Sequence, residues 1–319
     1  MAAAEIAAPA ALIADPTRAA AKDVSVGALA ADAVRCLRLA GSEQPRLDAE
    51  LLLGHVLGLE RTAIIAHPER PVDPGRRIEF DRSVARREAG EPVAYIRGFK
   101  EFHGLELEVD RRVLIPRPET ERLVELAIGI TQERLRSGGA APAQIVDVGT
   151  GSGAIVIAVA DALRRAGLLD RVRMLATDAS ADALSVAAAN LLRHELVDPV
   201  RLVEADLLPE SLPPADLLLA NLPYIPSGVV PGLPLAASFE PRSALDGGPD
   251  GLAIIRRLLD RLPSALAPGG TALLEIGGDQ GVTVAGELGR LPSGWSGRIE
   301  MDLAGLPRVA SVRRPGEPA

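Results

Sequence analysis

A carboxamide, a proline and an aromatic ring follow one apolar run in the second half of the chain. Leu217 to Ala220 are apolar, and Asn221, Pro223 and Tyr224 come after them. The apolar run predicts a buried central strand, and the prolines turn the backbone out of the sheet. Asn221 and Tyr224 are therefore expected at the carboxyl end of a strand, where open α/β sheets bind their ligands.

The residue types after this strand suit one kind of ligand. The Asn221 carboxamide offers one acceptor and two donors, and the Tyr224 ring offers a flat face. Together they fit a flat, neutral group that carries NH2, such as an amide or an aminated base. The same residues are compatible with a proline-rich turn in which Asn221 satisfies only its own backbone. This stretch alone does not separate the two interpretations.

A glycine-rich loop joins a predicted strand to a predicted helix earlier in the chain. Gln144 to Val148 lead into Gly149, Gly151 and Gly153, and an apolar helix follows. The glycine spacing differs from the dinucleotide fingerprint, and the loop lacks the lysine of a P-loop. Glycines here let the backbone approach a ligand closely, and Asp147 can hold the loop amides in place. A glycine-rich turn without a ligand is the alternative.

The remaining pattern predicts further strand ends that carry acidic residues. Val172 to Asp178 predicts a strand ending in a carboxylate, the position that hydrogen-bonds ribose hydroxyls in βαβ units, although Asp178 could instead be a helix N-cap. Other strands are predicted at Val200 to Val203 (ending near Asp206), Gly270 to Ile276, Gly297 to Asp302 and Arg308 to Arg313. Strands alternating with helices predict a doubly wound α/β sheet, mostly parallel with one antiparallel edge strand. Three chemically suited strand ends in one sheet favour the ligand interpretation.

The first part of the chain predicts a different architecture. Residues 1–23 are expected to be a disordered lead-in, and residues 24–90 carry helical patterns with caps that predict a small helical domain. No catalytic constellation occurs in residues 24–90, so we expect a domain for substrate or partner recognition, or for packing. Apolar and polar residues alternate from Val93 to Gly98 and from Leu105 to Val109, which predicts a β-hairpin within a linker, residues 91–112. Residues 113–319 are predicted to form the α/β domain, with a helix from Pro118 to about Thr131 and a flexible linker at Ser137 to Pro142.

Composition and charge exclude several classes of protein. The chain has 319 residues, a net charge of −8 and a single cysteine, Cys36. One cysteine rules out a disulfide framework and a thiolate metal cluster, and the acidic balance argues against a general nucleic-acid binder. No run is apolar enough to span a bilayer, and Met1 to Ala14 lacks the basic start of a signal peptide. A cytoplasmic protein without a membrane, metal or direct nucleic-acid partner is expected.

The two site motifs occur in the order typical of one enzyme class. Asp147-x-Gly-Thr-Gly-Ser-Gly153 followed by Asn221-x-Pro-Tyr224 resembles class I S-adenosylmethionine-dependent methyltransferases that act on amino groups. Further segments narrow the resemblance to the HemK/PrmC family: Glu91-Pro-Val-Ala-Tyr-Ile-x-Gly, Glu101-Phe-x-Gly104, Leu114-Ile-Pro-Arg-Pro-Glu-Thr-Glu121, Glu240-Pro-x-x-Ala-Leu-x-Gly-Gly-x-Asp-Gly-Leu252, Glu275-Ile-Gly277 and Asp302-Leu-Ala-Gly305. The similarity runs from about Val24 to Arg313. It implies an enzyme that uses S-adenosyl-L-methionine to methylate the glutamine amide in the Gly-Gly-Gln motif of peptide-chain release factors.

The resemblance also implies a role for each matching residue. The loop would contact the methionine and ribose portions of the cofactor, Asp178 would take the ribose hydroxyls, and Asp206 with Leu207 would border the adenine. The expected cofactor-binding residues are Asp147, Gly149, Thr150, Gly151, Ser152, Gly153, Asp178, Asp206, Leu207 and Asn221. The expected catalytic and substrate-binding residues are Asn221, Leu222, Pro223 and Tyr224.

Two positions depart from the family pattern. Leu222 stands where a proline is usual, so the backbone carbonyl is kept while the rigidity of a fixed φ is lost. Leu207 stands where an aromatic residue is common, which weakens the expected stacking on adenine. The Asn-Leu-Pro-Tyr form also occurs in methyltransferases that act on adenine in ribosomal RNA, so the departure bears on substrate specificity.

Other functions remain compatible with the sequence. A glutamine methyltransferase for a ribosomal protein would share the fold and the site, and an adenine amino-methyltransferase would share the Asn221 motif. The acidic charge and the absence of an aromatic-plus-basic stretch disfavour the adenine enzyme. The glycine spacing disfavours a nicotinamide-dependent oxidoreductase. Every expected type of site residue is present, which disfavours a non-catalytic binding protein whose active site has decayed.

Overall fold

The computed structural model of the protein describes residues 24–137 and 142–316. The predicted lead-in, residues 1–23, and most of the predicted linker lie outside the described residues. The chain divides into two compact units between Val93 and Ala94. The finer division into a helical domain, a hairpin linker and an α/β domain stays a prediction.

The first unit is helical in its described residues. Its helices are α1 (Val26–Leu39), α2 (Pro45–Leu57), α3 (Arg61–Ala66) and α4 (Pro74–Glu88). Their ends follow the local signals: the Ser25 side chain accepts a hydrogen bond from the Ala28 amide, and prolines open α2 and α4. Leu37, Leu52 and Phe80 are fully buried and form the centre of its core.

A short helix replaces one strand of the predicted hairpin. Val93–Arg97 forms α5, whereas the sequence predicted an extended segment from Val93 to Gly98, so that prediction is wrong. Tyr95 and Ile96 are adjacent and both buried, which departs from the one-sided burial that the predicted alternation implied. Pro92 directly before Val93 also favours a helix start.

The hairpin itself begins six residues later than predicted. Strand β1 (Phe99–Phe102) pairs antiparallel with β2 (Leu105–Glu108), and Phe102 lies opposite Leu105. The two turn residues, His103 and Gly104, both have positive φ. Positive φ at both positions gives the twist that a two-residue hairpin needs.

The second unit contains the predicted α/β sheet. Its strands are β3 (Ala143–Val148), β4 (Val172–Asp178), β5 (Val200–Glu204), β6 (Ala215–Ala220), β7 (Leu266–Glu275), β8 (Ser296–Met301) and β9 (Pro307–Arg313). Their order in the sheet is β5-β4-β3-β6-β7-β9-β8. Within the described residues, only β9 runs against the other strands, and β8 closes the edge beyond it. The mostly parallel doubly wound fold is confirmed.

Helices cover both faces of this sheet. They are α6 (Glu121–Arg136), which follows a 3₁₀ turn at Pro118–Thr120, α7 (Ala154–Arg165), α8 (Ala181–Arg193), α9 (Ala253–Ala265) and α10 (Gly281–Leu288). Leu217 and Leu219 of β6 belong to one apolar cluster, and Leu218 between them belongs to the other. Alternate residues of a central strand therefore enter separate cores, so a nearly continuous apolar run marks a strand buried on both faces.

Two further features of the described part of the chain concern membrane-spanning helices and metal-binding clusters. None of its helices is long and apolar enough to cross a membrane. Among the same residues, no group of histidine, cysteine and carboxylate side chains is arranged to hold a metal ion.

Candidate active site

The predicted site residues meet because three neighbouring strands end at one edge of the sheet. Strand β3 lies between β4 and β6, with Val148 opposite Thr177 on one side and Ala220 on the other. All three strands are parallel, so the glycine loop, Asp178 and Asn221 emerge side by side. The sequence placed each residue at a strand end, and the strand order brings the ends together.

The glycine loop passes close under the residue that follows Asn221. Gly149 has φ +71°, and a Cβ at this position would lie 2.9 Å from Leu222 Cδ2. Only glycine satisfies both the backbone conformation and the space. The loop and the segment after β6 therefore fix each other's positions.

Asp147 supports this loop from behind and does not line the cavity. It is fully buried, and the Thr150 hydroxyl donates a hydrogen bond of 2.6 Å to Asp147 Oδ2. The Thr150 amide also donates to the Thr177 carbonyl at 2.8 Å. Burial raises the pKa of Asp147 to about 7, and the hydrogen bond from Thr150 limits the rise. Asp147 thus holds the shape of the loop without touching its open side.

The raised pKa of Asp147 has a consequence for stability. The ordinary value is 3.8 and the folded value is about 7, so the folded state keeps a proton that the unfolded state loses between these values. The contribution of Asp147 to the free energy of unfolding therefore falls as pH rises through this range and is constant above it. We expect the stability of an Asp147→Asn variant, relative to the unsubstituted protein, to increase between about pH 4 and about pH 7. Urea denaturation at each pH measures this difference, and a constant or decreasing difference contradicts the prediction.

Asp178 links the glycine loop to the start of α8. Its Oδ2 accepts a hydrogen bond from the Gly151 amide at 2.9 Å, and its Oδ1 accepts one from the Ser180 amide at 2.9 Å. Each carboxylate oxygen can accept a second hydrogen bond. The carboxylate is partly exposed and borders the cavity, so its remaining lone pairs are available to a ligand with hydroxyl groups.

Asp206 and Leu207 border the same cavity from the end of β5. The Asp206 carboxylate is ion-paired with Arg257 at 2.6 Å and is largely exposed. Leu207 is buried and has φ +66°, a conformation that is uncommon outside glycine. The Thr177 hydroxyl donates to the Leu207 carbonyl at 2.6 Å, which helps to hold this strained backbone at the cavity wall.

Asn221 and Leu222 present two free acceptors. Asn221 Nδ2 donates to Thr120 Oγ1 at 3.0 Å, which directs Oδ1 away from that contact. Among the described residues, neither Asn221 Oδ1 nor the Leu222 carbonyl oxygen accepts a hydrogen bond. Both residues line the cavity. Two neighbouring acceptors at one mouth match a ligand that carries an NH2 group.

Tyr224 lies beside this pair but not on the cavity wall. Its ring is partly buried, and burial raises the pKa of the phenol to about 12, with the Glu275 carboxyl adding to the rise. The phenol is therefore neutral near pH 7. Its backbone carbonyl accepts a hydrogen bond from Gln280 Nε2 at 2.8 Å, so Tyr224 is held by the segment after β7.

A second glycine contact supports Tyr224 from the loop before α9. Gly251 has φ +77°, and a Cβ there would lie 2.3 Å from the Tyr224 carbonyl oxygen. We expect Gly251→Ala to lower the free energy of unfolding by about 2–4 kcal/mol, because it combines a left-handed backbone with a backbone clash. Turnover is expected to fall as well, since Tyr224 has to move. Chemical denaturation measures the first effect. Gly228→Ala is the matched control, because a Cβ at Gly228 meets nothing within 4 Å; equal stability of the two variants would contradict the prediction.

The cavity at this edge has a volume of about 340 Å³, within the range of small-molecule sites. Its wall includes most predicted site residues: Gly149, Thr150, Gly151, Ser152, Asp178, Asp206, Leu207, Asn221, Leu222 and Pro223. Asp147, Gly153 and Tyr224 lie outside the lining. Gly153 instead caps the start of α7 in a left-handed conformation.

Several supporting residues have no clear signal in the sequence. Thr120 contacts Asn221 from a segment 101 residues away. Asn190, fully buried in α8, donates to the carbonyls of Ser152 and Glu108 and accepts from the Glu108 amide. A lone asparagine on the apolar face of a predicted helix is the one local sign that could have indicated Asn190. Thr120 lies in the segment Leu114 to Glu121 that resembles the HemK/PrmC family, but nothing in that segment indicates a contact with Asn221.

Comparisons with known proteins show which family the chain resembles. Residues 28–98 match the model of the PrmC N-terminal domain. The release factor glutamine methyltransferase of Moorella thermoacetica is 44% identical over 257 residues, which are 79% of this chain and 86% of that protein. That of Rhodopirellula baltica is 38% identical over 285 residues, 87% of this chain and 92% of that protein.

A solved structure shows the same fold at much lower identity. The hMettl16 catalytic domain superposes with a TM-score of 0.50 and 14% identity, covering 75% of this chain and 81% of that chain. At this identity the likeness concerns the fold alone. The two curated relatives, in contrast, match along most of both chains. The chain therefore belongs to the PrmC/HemK family of release factor glutamine methyltransferases.

Proposed function

We propose that this protein transfers a methyl group from S-adenosyl-L-methionine to the side-chain amide nitrogen of the glutamine in the Gly-Gly-Gln motif of release factors. The observation that carries the proposal is the pair of free acceptors, Asn221 Oδ1 and the Leu222 carbonyl, at the mouth of the cavity. Family membership supports release factors as the substrate class.

The residues around the cavity fit the proposed cofactor. Asp178 has carboxylate lone pairs free for the two ribose hydroxyls, and Gly149 leaves no Cβ between the loop and Leu222. We propose that the loop residues Gly149 to Gly153 hold the methionine and ribose portions, while Asp206 and Leu207 border the adenine. When bound, S-adenosyl-L-methionine supplies an activated methyl group on a sulfonium sulfur.

The chain's own contribution is to orient a poor nucleophile. The amide nitrogen of glutamine has its lone pair delocalised into the carbonyl, so it reacts only when aligned. If Asn221 Oδ1 and the Leu222 carbonyl each accept one amide hydrogen, the nitrogen is fixed and its lone pair is directed into the cavity. Such positioning can supply up to about 7–11 kcal/mol, whereas one neutral hydrogen bond contributes about 1 kcal/mol to stability. Orientation is therefore the dominant effect, and no general base is required before transfer.

Packing takes over the role of the usual proline at position 222. The Leu222 side chain is 5% exposed and belongs to the apolar cluster beneath β6. Its Cδ2 fills the space where a Cβ on Gly149 would lie. We infer that this buried side chain fixes the Leu222 carbonyl in place of a proline ring, so the departure from the family pattern leaves the acceptor pair intact.

Pro223 and Tyr224 complete the proposed substrate side of the site. Pro223 lines the cavity, and Tyr224 stands just outside it. We therefore assign the Tyr224 ring to the flat face of the substrate amide rather than to the sulfonium. The neutral phenol suits an uncharged amide.

The helical unit is the proposed recognition module. Its match to the PrmC N-terminal domain supports a role shared by the family, and in its described residues it carries no cluster able to bind metal. We propose that residues 24–90 help to recognise the release factor in the cytoplasm, while residues 113–319 carry the chemistry. The net charge of −8 supports a protein partner over direct nucleic-acid binding.

One experiment tests the proposed substrate. The purified protein is incubated with methyl-labelled S-adenosyl-L-methionine and, in separate reactions, release factor, release factor with the Gly-Gly-Gln glutamine replaced by alanine, ribosomal proteins, and ribosomal RNA or DNA. We expect label only on the release factor that retains its glutamine. Label on a ribosomal protein or on nucleic acid, with none on the release factor, would overturn the proposal. The Asn-Leu-Pro-Tyr form of the motif is the reason for the nucleic-acid reaction.

A further inference from the structure

The Asn221 carboxamide is held by the buried hydroxyl of Thr120, a residue that also lines the cavity. Asn221 Nδ2 donates to Thr120 Oγ1 at 3.0 Å, and Thr120 is 3% exposed. Nothing else in the described residues hydrogen-bonds the Asn221 side chain. Either Nδ2 or Oδ1 of Asn221 can face Thr120. The orientation of the carboxamide therefore depends on whether the Thr120 hydroxyl accepts or donates in this contact.

A threonine hydroxyl has one hydrogen to donate. If Thr120 accepts from Asn221, its own hydrogen is free for another acceptor. If it donates to Asn221, the carboxamide is reversed and its NH2 group points into the cavity. A second buried group next to Thr120 decides between these arrangements.

Glu275 is that group. It ends β7, the strand next to β6, and is 1% exposed. Among the described residues, neither of its carboxyl oxygens has a partner in full hydrogen-bond geometry. A buried carboxyl whose hydrogen bonds are incomplete is costly, so its place beside the Thr120 and Tyr224 hydroxyls points to a role.

The groups that face Glu275 come from three neighbouring elements. Thr120 and Glu119 lie in the 3₁₀ turn, Tyr224 follows β6, and Arg308 lies on β9. Arg308 is paired with Asp302 at 3.1 Å. Burial raises the pKa of Glu275 to about 7; the Thr120 and Tyr224 hydroxyls and Arg308 limit the rise, and Glu119 adds to it.

We propose that Glu275 and Thr120 are positioning residues that set the orientation of the Asn221 carboxamide. The ionised Glu275 carboxylate can only accept, so it draws the Thr120 hydrogen toward itself. Thr120 then accepts from Asn221 Nδ2, and Oδ1 faces the substrate. The inference rests on the proposed function, because it assigns Oδ1 to the glutamine amide.

The arrangement depends on the protonation of Glu275. A protonated carboxyl can donate to Thr120, which frees Thr120 to donate to Asn221 Oδ1. The reversed carboxamide would then present NH2 to the NH2 of the substrate, and the two donors cannot pair. Turnover is therefore expected to fall as Glu275 becomes protonated below about pH 7.

We call the chain of hydrogen bonds from Glu275 through Thr120 to Asn221 the relay. Turnover measurements on three variants and a matched control test it. Thr120→Val removes the hydroxyl at nearly constant size, and we expect kcat to fall about 10- to 100-fold with the cofactor Kd unchanged. Thr120→Ser restores the hydroxyl and should restore kcat. In Glu275→Gln, the decline of kcat below about pH 7 should disappear. Thr131→Val is the control, because Thr131 is an equally buried hydroxyl in α6 that donates only to the Ala127 carbonyl.

A second measurement does not depend on methyl transfer. The side-chain NH2 resonances of Asn221 in the ¹⁵N-labelled protein are identified by their absence in Asn221→Asp. They should shift with pH, following the titration of Glu275, and should lose that dependence in Glu275→Gln and in Thr120→Val. This result would support the relay even if release factor were not the substrate.

The outcomes separate the two proposals. Absence of methyl transfer to release factor by the unsubstituted protein would overturn the proposed function alone. If the unsubstituted protein is active and Thr120→Val has the same kcat as Thr131→Val, the relay would be overturned. The relay would also be overturned if the Asn221 resonances had the same pH dependence in Glu275→Gln as in the unsubstituted protein.

Discussion

Replacing Asn221 by alanine is expected to lower kcat for release factor methylation about a hundred- to thousand-fold, with the fold and the cofactor affinity retained. The substitution removes one of the two acceptors that fix the substrate amide, and the Leu222 carbonyl alone cannot orient the nitrogen. Asn221 donates only to Thr120 among the described residues, so little of the surrounding structure depends on it. Single-turnover kinetics with labelled cofactor measure the chemical step directly.

A second substitution at this position separates orientation from simple loss of packing. Asn221→Asp keeps an oxygen toward the substrate at nearly the same size, although it places a second carboxylate near Glu275. We expect it to retain more activity than Asn221→Ala. Near-normal turnover by the alanine variant would refute the role assigned to Asn221. Calorimetry with S-adenosyl-L-methionine and thermal unfolding show whether either variant has lost the cavity or the fold.

Replacing Asp178 by alanine is expected to weaken cofactor binding about 10- to 100-fold. The carboxylate is proposed to accept from two ribose hydroxyls, and it also accepts from the Gly151 and Ser180 amides. Its loss therefore removes ligand contacts and loosens the glycine loop. Isothermal titration calorimetry with S-adenosyl-L-methionine measures the effect.

The matched control for this variant lies on the first turn of α8. Asp182→Ala removes a carboxylate of the same charge that is exposed and does not line the cavity. We expect its cofactor affinity to match that of the unsubstituted protein. Unchanged affinity in Asp178→Ala would count against the ribose assignment, and an equal loss in both variants would indicate a general charge effect.

The strained and closely packed backbone of the site fits a preorganised function. Leu207 has positive φ at the cavity wall, and Gly149 and Gly251 each allow two segments to approach more closely than a Cβ would permit. Such positions persist only where the surrounding structure holds them. The site therefore has little freedom to rearrange, as expected where orientation carries the rate.

The sequence alone predicted the strands of the large sheet, the helices of the first unit and the residue types at the strand ends. Apolar runs buried on both faces, caps such as Ser25 and the glycine loop at Gly149 are local signals, because they depend on backbone preference and side-chain period. The ends of parallel strands share one edge of the sheet, so Asp178 and Asn221 could be assigned to one site before any coordinates.

Tertiary structure decided what local patterns do not encode. Val93–Arg97 is a helix in which both Tyr95 and Ile96 are buried, although the sequence alternates over this short stretch. The strand order also decided that Glu275 and Thr120 would meet beside Asn221. Contacts between distant residues depend on the order and register of the strands and on the packing between them, and no periodicity along the chain records these quantities.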